Sequence, residues 1–416
     1  MPTRSDIIDA LHFDLGGVTQ PFNTTNDAPY VITYEFASSQ PSDLWQNYAG
    51  WTALSNAEKA NYRAALDHIE TLINVEFVEH NDAIHGNDPT MNVGSVSFGG
   101  NTAGEGGLSY GSNSNGDLTS YDSFTVFDRD IDLSRDSATS LILHEIGHAL
   151  GNKHPFSGAN RLPAEFENNK YTVMSYDSNP DNSQDSDAMQ VFDILSLQAR
   201  WGANDTTKTG NTTYTGSRTD TIDSVWDAGG RDTFDASAQS RDVILDLRAG
   251  KFSSFETSDD VSIAYDTVIE NAIGGSGDDT LRGNGANNQM SGNAGQDTLK
   301  GGNGRDTLSG NGAKDKLFGN KGADTLNGGA GRDQLTGGKG RDTFVFTQGN
   351  GQDVIRDFLR GDDTLALNIS AVTSLGDLQS LATQSGGDLV LDFAGSDKLT
   401  LLDTTFAELT DHVSFA

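Results

Sequence analysis

The sequence predicts two domains of different class, an α+β domain over residues 1–205 and an all-β domain of short strands over residues 206–416. Three observations lead there. The chain has 416 residues, more than one ordinary hydrophobic core serves. Helical and strand-like apolar periodicities alternate through the first half. From Gly274 onward the sequence falls into nonapeptide repeats.

In the first half, Val31–Phe36 alternates as a strand. Ser55 and Glu58 form a capping box ahead of a helix carrying Tyr62, Leu66, Ile69, Leu72 and Ile73 on one face, and Val75–Val78 follows as a strand. Met91–Phe98, Leu108–Gly111 and Ser123–Phe127 read as further strands, separated by Gly, Asn and Ser. A second helix, capped by Ser134 or Asp136, runs through Leu141, Ile142, Ile146, Ala149 and Leu150, and a third spans Ala188–Arg200 and stops near Gly202. Asn204–Ser217, rich in Asn, Thr and Gly, marks the boundary. Beyond it come short strands such as Val243–Leu247 and no long helix before the last residues.

Composition narrows the function. The formal net charge is -33, from 60 acidic against 27 basic side chains, the wrong sign for a nucleic-acid or anionic-membrane binder. Divalent cations would offset it. With no Cys, disulfides, thiol catalysis and Cys-based zinc sites are excluded. No stretch approaches the run of about 20 apolar residues that spans a bilayer. The opening MPTRSDIIDALHFDLGG lacks the apolar core of a secretory signal, which alone reads as cytosolic.

Residues 144–154 read HEIGHALGNKH. On a helix, His144 and His148 project from one face and reach a single Zn²⁺, while Glu145 stands near the metal without ligating it. Glu145 can then take a proton from metal-activated water as general base. Gly151 ends the helix in a left-handed turn, so that His154 approaches as third ligand and a fourth position stays open. His12, His68, His80, His85 and His412 have no metal spacing and read as ordinary surface or partly buried residues.

Eight gapless nonapeptides run from Gly274, beginning GGSGDDTLR and ending GGKGRDTFV. Position six is Asp279, Asn288, Asp297, Asp306, Asp315, Asp324, Asp333 and Asp342, and position eight is apolar throughout. Position four is Gly277, Gly295, Gly304, Gly322, Gly331 and Gly340, interrupted by Ala286 and Ala313. Glycines at one and four permit a tight turn with carbonyl oxygens pointing inward, and the position-six carboxylates complete an oxygen-only set suited to several structural Ca²⁺ ions. The unit with Ala286 and Asn288 is the weakest. The turn with Asp232 and the tail Gly351–Phe358 read as partial repeats or caps. A core of single Leu residues cannot offset the ordering entropy of so much Gly, so the roll is expected to fold only with calcium.

The motif HExxHxxGxxH followed by Tyr171-Thr-Val-Met-Ser-Tyr176 resembles the metzincin signature with its Met-turn. Pro155 after the third His, and Tyr two residues beyond Met174, resemble the serralysins within that clan. Asp193–Asn204, Trp226–Asp235 and Thr267–Gly275 resemble the end of their catalytic domain and the lead-in to their β-roll. The likeness spans roughly residues 30 to 365. It implies an α+β zincin (metzincin) catalytic domain followed by a parallel β-roll of the RTX type, two nonapeptides per turn. It also implies a zinc-dependent endopeptidase acting on proteins and peptides. Met174 would be the apolar floor under the zinc ligands, Tyr176 a movable zinc ligand that hydrogen-bonds the tetrahedral oxyanion, and Gly107–Gly111 the edge strand that receives substrate.

The resemblance further implies extracellular location, reached from a bacterium through a one-step (type I) exporter reading the C-terminus, with Asp411–Ala416 compatible. It overturns the cytosolic reading. No membrane insertion or nucleic-acid partner is expected, and the chain is taken as a monomer. The segment between His154 and Met174 is short for a serralysin, so cleavage preference does not carry over. No inhibitory propeptide is visible before the first strand. The rival reading is a calcium-dependent adhesion or surface-layer protein with an inactive first domain, but such a relic is expected to have lost Glu145 or a histidine. A pore-forming protein would need an apolar membrane segment, which is lacking.

Overall fold

A computed structural model gives the architecture for residues 1–13, 15, 22, 28–42, 44, 48–80, 90–115, 118–217, 222–358, 362–393 and 395–415. The chain divides into two units, Met1–Thr209 with Arg218–Ala228, and Gly210–Ser217 with Gly229–Ala416. His85 and Ala416 lie outside the described residues.

The first unit contains α1 (Arg4–Leu11), β1 (Tyr30–Phe36), α2 (Asn56–Glu70), β2 (Val75–Glu79), β3 (Met91–Val96), β4 (Gly104–Ser112), β5 (Leu118–Asp128), α3 (Thr139–Ala149) and α4 (Val191–Trp201). The strands form one sheet in the order β2-β1-β3-β5-β4. Neighbours are parallel except β4, which runs antiparallel to β5 at the end of the order. The capping box of α2 forms as read: Glu58 N–H donates to Ser55 Oγ at 3.3 Å and Ser55 N–H to the Glu58 carboxylate at 2.7 Å. Tyr62, Leu66 and Ile69 are buried on one face of that helix.

Several boundaries differ from the sequence reading, and three of them have a clear local reason. β4 begins earlier than Leu108 because Gly104, Gly106 and Gly107 hide its pattern, although they pair with β5 residue by residue. Neither Ser134 nor Asp136 caps α3. The Ser134 hydroxyl is engaged by the Asp132 carboxylate at 2.5 Å, and a 3-10 turn over Asp136–Ala138 leads into the helix. α4 begins at Val191, where the Asp193 carboxylate accepts the Gln190 N–H at 3.0 Å, and it ends at Gly202 in a positive-φ conformation of 81°.

The second unit is built from two nine-stranded sheets that take successive short strands alternately. In both, neighbours within the repeats are parallel and offset by 18 residues, as in Leu281↔Leu299 and Leu308↔Leu326. Two nonapeptides therefore make one turn. Leu281, Leu299, Leu317 and Leu335 line one inner column and Met290, Leu308, Leu326 and Phe344 the other, none more than 1% exposed. Each contributes about 1.5–3 kcal/mol of apolar burial. Short helices occur at Leu375–Leu381 and Phe406–Leu409, and among the described residues no helix is long and apolar enough to cross a membrane.

The position-four glycines are required for a reason that spacing alone does not reveal. At Gly322, φ is 146° and a Cβ would stand 1.5 Å from the Gly304 carbonyl oxygen, so successive turns stack with no room for a side chain. Gly277 and Gly331 do not take the positive-φ conformation; a Cβ on Gly331 would stand 1.4 Å from the Ala313 carbonyl oxygen, and close approach alone demands Gly there.

Candidate metal centre and carboxylate ladder

The helical spacing of four and the turn at Gly151, φ 104°, bring three imidazoles together. His144 Nε2 and His148 Nε2 each lie 3.1 Å from His154 Nε2. Four bonds of about 2.0–2.1 Å in a tetrahedron put donor atoms about 3.3 Å apart, so the three nitrogens fit one Zn²⁺. Among the described residues this is the one group of three His, Asp or Glu side chains with metal-binding geometry.

The outer nitrogens are held by carbonyls, which can only accept. His144 Nδ1–H therefore donates to Val173 O at 2.7 Å and His148 Nδ1–H to Asn152 O at 2.8 Å, leaving both Nε2 lone pairs on the shared centre. Burial lowers all three basicities, with neighbouring imidazoles contributing to two of them: His148 falls to about 3, His154 to about 4, and His144 moves in the same direction. Neutral imidazole is the form that ligates a metal.

Glu145 is 4% exposed, and its Oε2 is buried without a hydrogen-bond partner. Burial first, and Glu105 second, push its carboxyl up to about 8, against a hydrogen bond from the Gly106 N–H. The glycines of β4 explain how this side chain is confined. A Cβ on Gly106 would lie 2.2 Å from the Glu145 carbonyl oxygen, and one on Gly104 would lie 2.8 Å from the Glu145 side chain. The edge strand thus lies directly on the helix that carries the histidines.

Two layers support the three histidines, and apart from Met174 their members went unread in the sequence. Asp193, fully buried, accepts from Thr172 Oγ1 at 2.5 Å and Val173 N–H at 2.8 Å, so the residue holding His144 is itself tied to α4. Met174 is buried, and its sulfur would lie 2.5 Å from a Cβ on Gly147, between the two helical ligands. On the other side, Ser196 Oγ donates to Asn152 Oδ1 at 2.6 Å while His12 Nε2–H donates to Ser196 O at 2.8 Å. His12 is half-buried, within the surface or partly buried reading of the sequence. Burial, and Arg200 next, push it down to about 3. Only a lone His and a lone Asp mark these positions in the sequence, with no spacing that singles them out.

Tyr176 is 69% exposed and its ring stands beside the centre, 5.6 Å from His144 and 4.6 Å from His154 by ring centroids. Phe156 stacks on His154 at 5.0 Å with 6° between planes and also meets Tyr176 at 5.3 Å.

In the second unit the position-six residues form a second constellation. The N–H groups of Asp279, Asn288, Asp297, Asp306, Asp315 and Asp324 each donate to Oδ1 of the residue 18 positions on, at 2.8–2.9 Å. The other oxygens of Asp297, Asp306, Asp315, Asp324 and Asp342 are buried without a hydrogen-bond partner. Burial raises Asp297, Asp306 and Asp315 to about 7. Orphaned carboxylate oxygens in a regular column fit a hard cation such as Ca²⁺.

Members of the column differ. Both Asp279 oxygens accept backbone N–H groups, from Val243 at 2.8 Å and Gly275 at 2.6 Å. Asp232 accepts from Thr212 N–H at 2.7 Å. Asn288 is saturated by Asn284 and the Glu270 carbonyl, so the weakest repeat replaces an orphaned oxygen with amide hydrogen bonds. Beyond the repeats, Asp333 N–H donates to Asp353 and Asp342 N–H to Asp363, at 3.0 and 2.9 Å. These steps of 20 and 21 residues break the nine-residue register, which conceals Asp363 in the sequence.

A serralysin of Photorhabdus laumondii subsp. laumondii is 31% identical over 290 residues, covering 63% of this chain and 60% of its own. A serralysin of Proteus mirabilis is 39% identical over 176 residues, 36% of each chain. A solved subunit of the mannuronan C5-epimerase from Azotobacter vinelandii is 28% identical over 34% of this chain and 80% of its own, at a TM-score of 0.24 that supports no argument. The chain spans about three-fifths of the length of the first two curated relatives it matches. Residues 194–415, more than half of the chain, match the family model described as Peptidase M10 serralysin C terminal, and the protein belongs to that serralysin family.

Proposed function

We propose that the protein is a secreted, zinc-dependent endopeptidase in which residues 1–205 carry catalysis and residues 206–416 form a calcium-stabilised roll. The observation that carries this reading is the convergence of three Nε2 atoms, with the outer nitrogens of His144 and His148 held by carbonyls, beside a buried and unpartnered Glu145 oxygen. The mixed sheet of the first unit, with the antiparallel strand β4 at its edge, and the serralysin relatives both support it.

Zn²⁺ held by His144, His148 and His154 would supply Lewis acidity, lowering the pKa of water to about 7. Glu145 takes the proton of the attacking water and passes it to the leaving amine nitrogen as the peptide C–N bond breaks. Tyr176, whose ring stands beside the histidines, would be a movable further ligand and would donate its phenol O–H to the tetrahedral oxyanion. Substrate adds to β4 as an antiparallel strand, exchanging main-chain hydrogen bonds with Gly107–Gly111. Calcium bound along the Asp ladder holds the roll folded outside the cell, and the unfolded roll suits passage through a one-step exporter.

Casein digestion with metal analysis tests the catalytic half. Glu145→Gln is expected to lower turnover about 10²–10⁴-fold while the zinc content stays unchanged. A variant that digests casein at the parent rate would refute the assignment.

A further inference from the structure

In a chain with a formal net charge of -33, one depression on the second unit is lined by cations without a single acid. Its volume is about 570 Å³, and Arg248, Arg282, Lys300 and Lys321 supply all the charge on its wall, with the amides of Asn284 and Asn303 between them.

Strand register sets these groups in two short rows, three residues apart, that together make one cationic band. Arg282 lies opposite Asp246 on one side and Lys300 on the other, with Phe318 opposite Lys300 at the next step, and in the second row Asn303 lies opposite Lys321. Lys321 in turn lies opposite Lys339, which continues the row. Neighbouring strands are about 4.8 Å apart, so positive groups recur at nearly every step along the roll.

The start of the first row is fixed in place. The Asp246 carboxylate, 3% exposed, accepts from Arg248 Nε at 2.8 Å and Nη2 at 2.5 Å and lies 3.7 Å from Arg282 Nη1. One carboxylate between two guanidiniums leaves one positive charge uncompensated. Among the described residues Lys300 and Lys321 form no ion pair; Lys300 Nζ rests 5.9 Å from the centroid of the Phe318 ring.

We propose that this band binds a linear anionic glycan, a polysaccharide bearing carboxylate or sulfate on its sugar units and lying along the roll. Guanidinium forks pair with such groups through two parallel hydrogen bonds, ammonium groups pair as point charges, and side-chain amides suit sugar hydroxyls. Among the residues lining the depression there is no aromatic ring, and the single Phe318 beside Lys300 falls short of the series of rings on which successive bases of a single strand stack. The repulsion of the remaining acidic surface is screened beyond about 8 Å at physiological salt, so only a ligand in direct contact with the band gains from it. The proposal does not depend on the peptidase reading.

The test uses the full chain with calcium present and fluorescence anisotropy of labelled short oligogalacturonate, dextran sulfate, neutral dextran and a single-stranded oligonucleotide. One or both anionic glycans bind and neutral dextran does not, with the carboxylate and sulfate arms telling the two sources apart. Lys300→Gln with Lys321→Gln weakens binding roughly tenfold, raised salt weakens the parent, and Lys300→Arg with Lys321→Arg restores affinity. Circular dichroism and casein digestion stay unchanged in both variants. Equal binding by the Gln variant, no anionic glycan bound above neutral dextran, or tighter binding of the oligonucleotide than of either glycan overturns the proposal.

Discussion

Removing calcium from the roll should make its stability fall as pH rises. Burial raises Asp297, Asp306 and Asp315 from 3.8 to about 7 in the folded chain. All three are essentially inaccessible to solvent, so their ionisation in the folded, metal-free roll is opposed by lost hydration. A group titrating higher folded than unfolded adds stability that is complete below about 3.8 and lost as pH rises through about 7. An upward shift of this kind favours the protonated, folded roll, and several such groups stacked in one column act together on a domain stability of only about 5–15 kcal/mol. The metal-depleted chain should therefore keep roll structure near pH 5 and lose it near pH 8, and millimolar Ca²⁺ near pH 8 should restore it. Far-UV circular dichroism and thermal melts at the two pH values measure this. Asp306→Asn removes one titrating group and should flatten the pH dependence without calcium. Identical melts at both pH values, with no response to Ca²⁺, would show that the buried carboxylates are not what unfolds the roll.

Two substitutions probe the first unit. Gly106→Ala places a methyl group against the Glu145 carbonyl oxygen, where an ideal Cβ would be only 2.2 Å away. It should cost about 1–3 kcal/mol in thermal unfolding and, on the proposed function, lower kcat more than KM, because the clash bears on the helix that carries His144, Glu145 and His148. Asp193→Asn keeps the shape but loses the charged acceptor for Thr172 and Val173, and zinc affinity measured by chelator competition should fall about 10–100-fold.

The sequence was most legible where one physical constraint repeats. The nine-residue register gave the roll its inner columns, since an apolar residue every ninth position faces one of two columns wherever two repeats make a turn. The three zinc-ligand candidates were equally plain, because spacing of four on a helix and a glycine exit leave little freedom. What stayed hidden depends on partners distant in the chain. Only the start of β4 lay outside the strand read at Leu108–Gly111, because Gly104 and Gly106 answer to α3 packed against them and not to their own propensity. His12 reaches the centre through Ser196 and Asn152, a contact across 184 residues. Asp363 extends the ladder beyond the tail read at Gly351–Phe358, after an insertion that shifts register while leaving the strands paired.

The two proposed metals stand in opposite relation to folding. The zinc donors are neutral, and two of them are already oriented by Val173 and Asn152 carbonyls, so no like-charge repulsion awaits the metal. The ladder instead stacks carboxylates whose second oxygens are buried without partners, and each resists ionising until a cation arrives. A chelator near pH 8 should accordingly separate the two units. Near-UV circular dichroism from Trp201, buried in the first unit, should persist, while the β-signal of the roll disappears. Adding Zn²⁺ alone should then leave the roll unfolded, and adding Ca²⁺ alone should restore it without peptidase activity. Loss of both signals together on chelation would mean that the first unit also draws its stability from metal, and the preformed carbonyl contacts would not be sufficient to hold it.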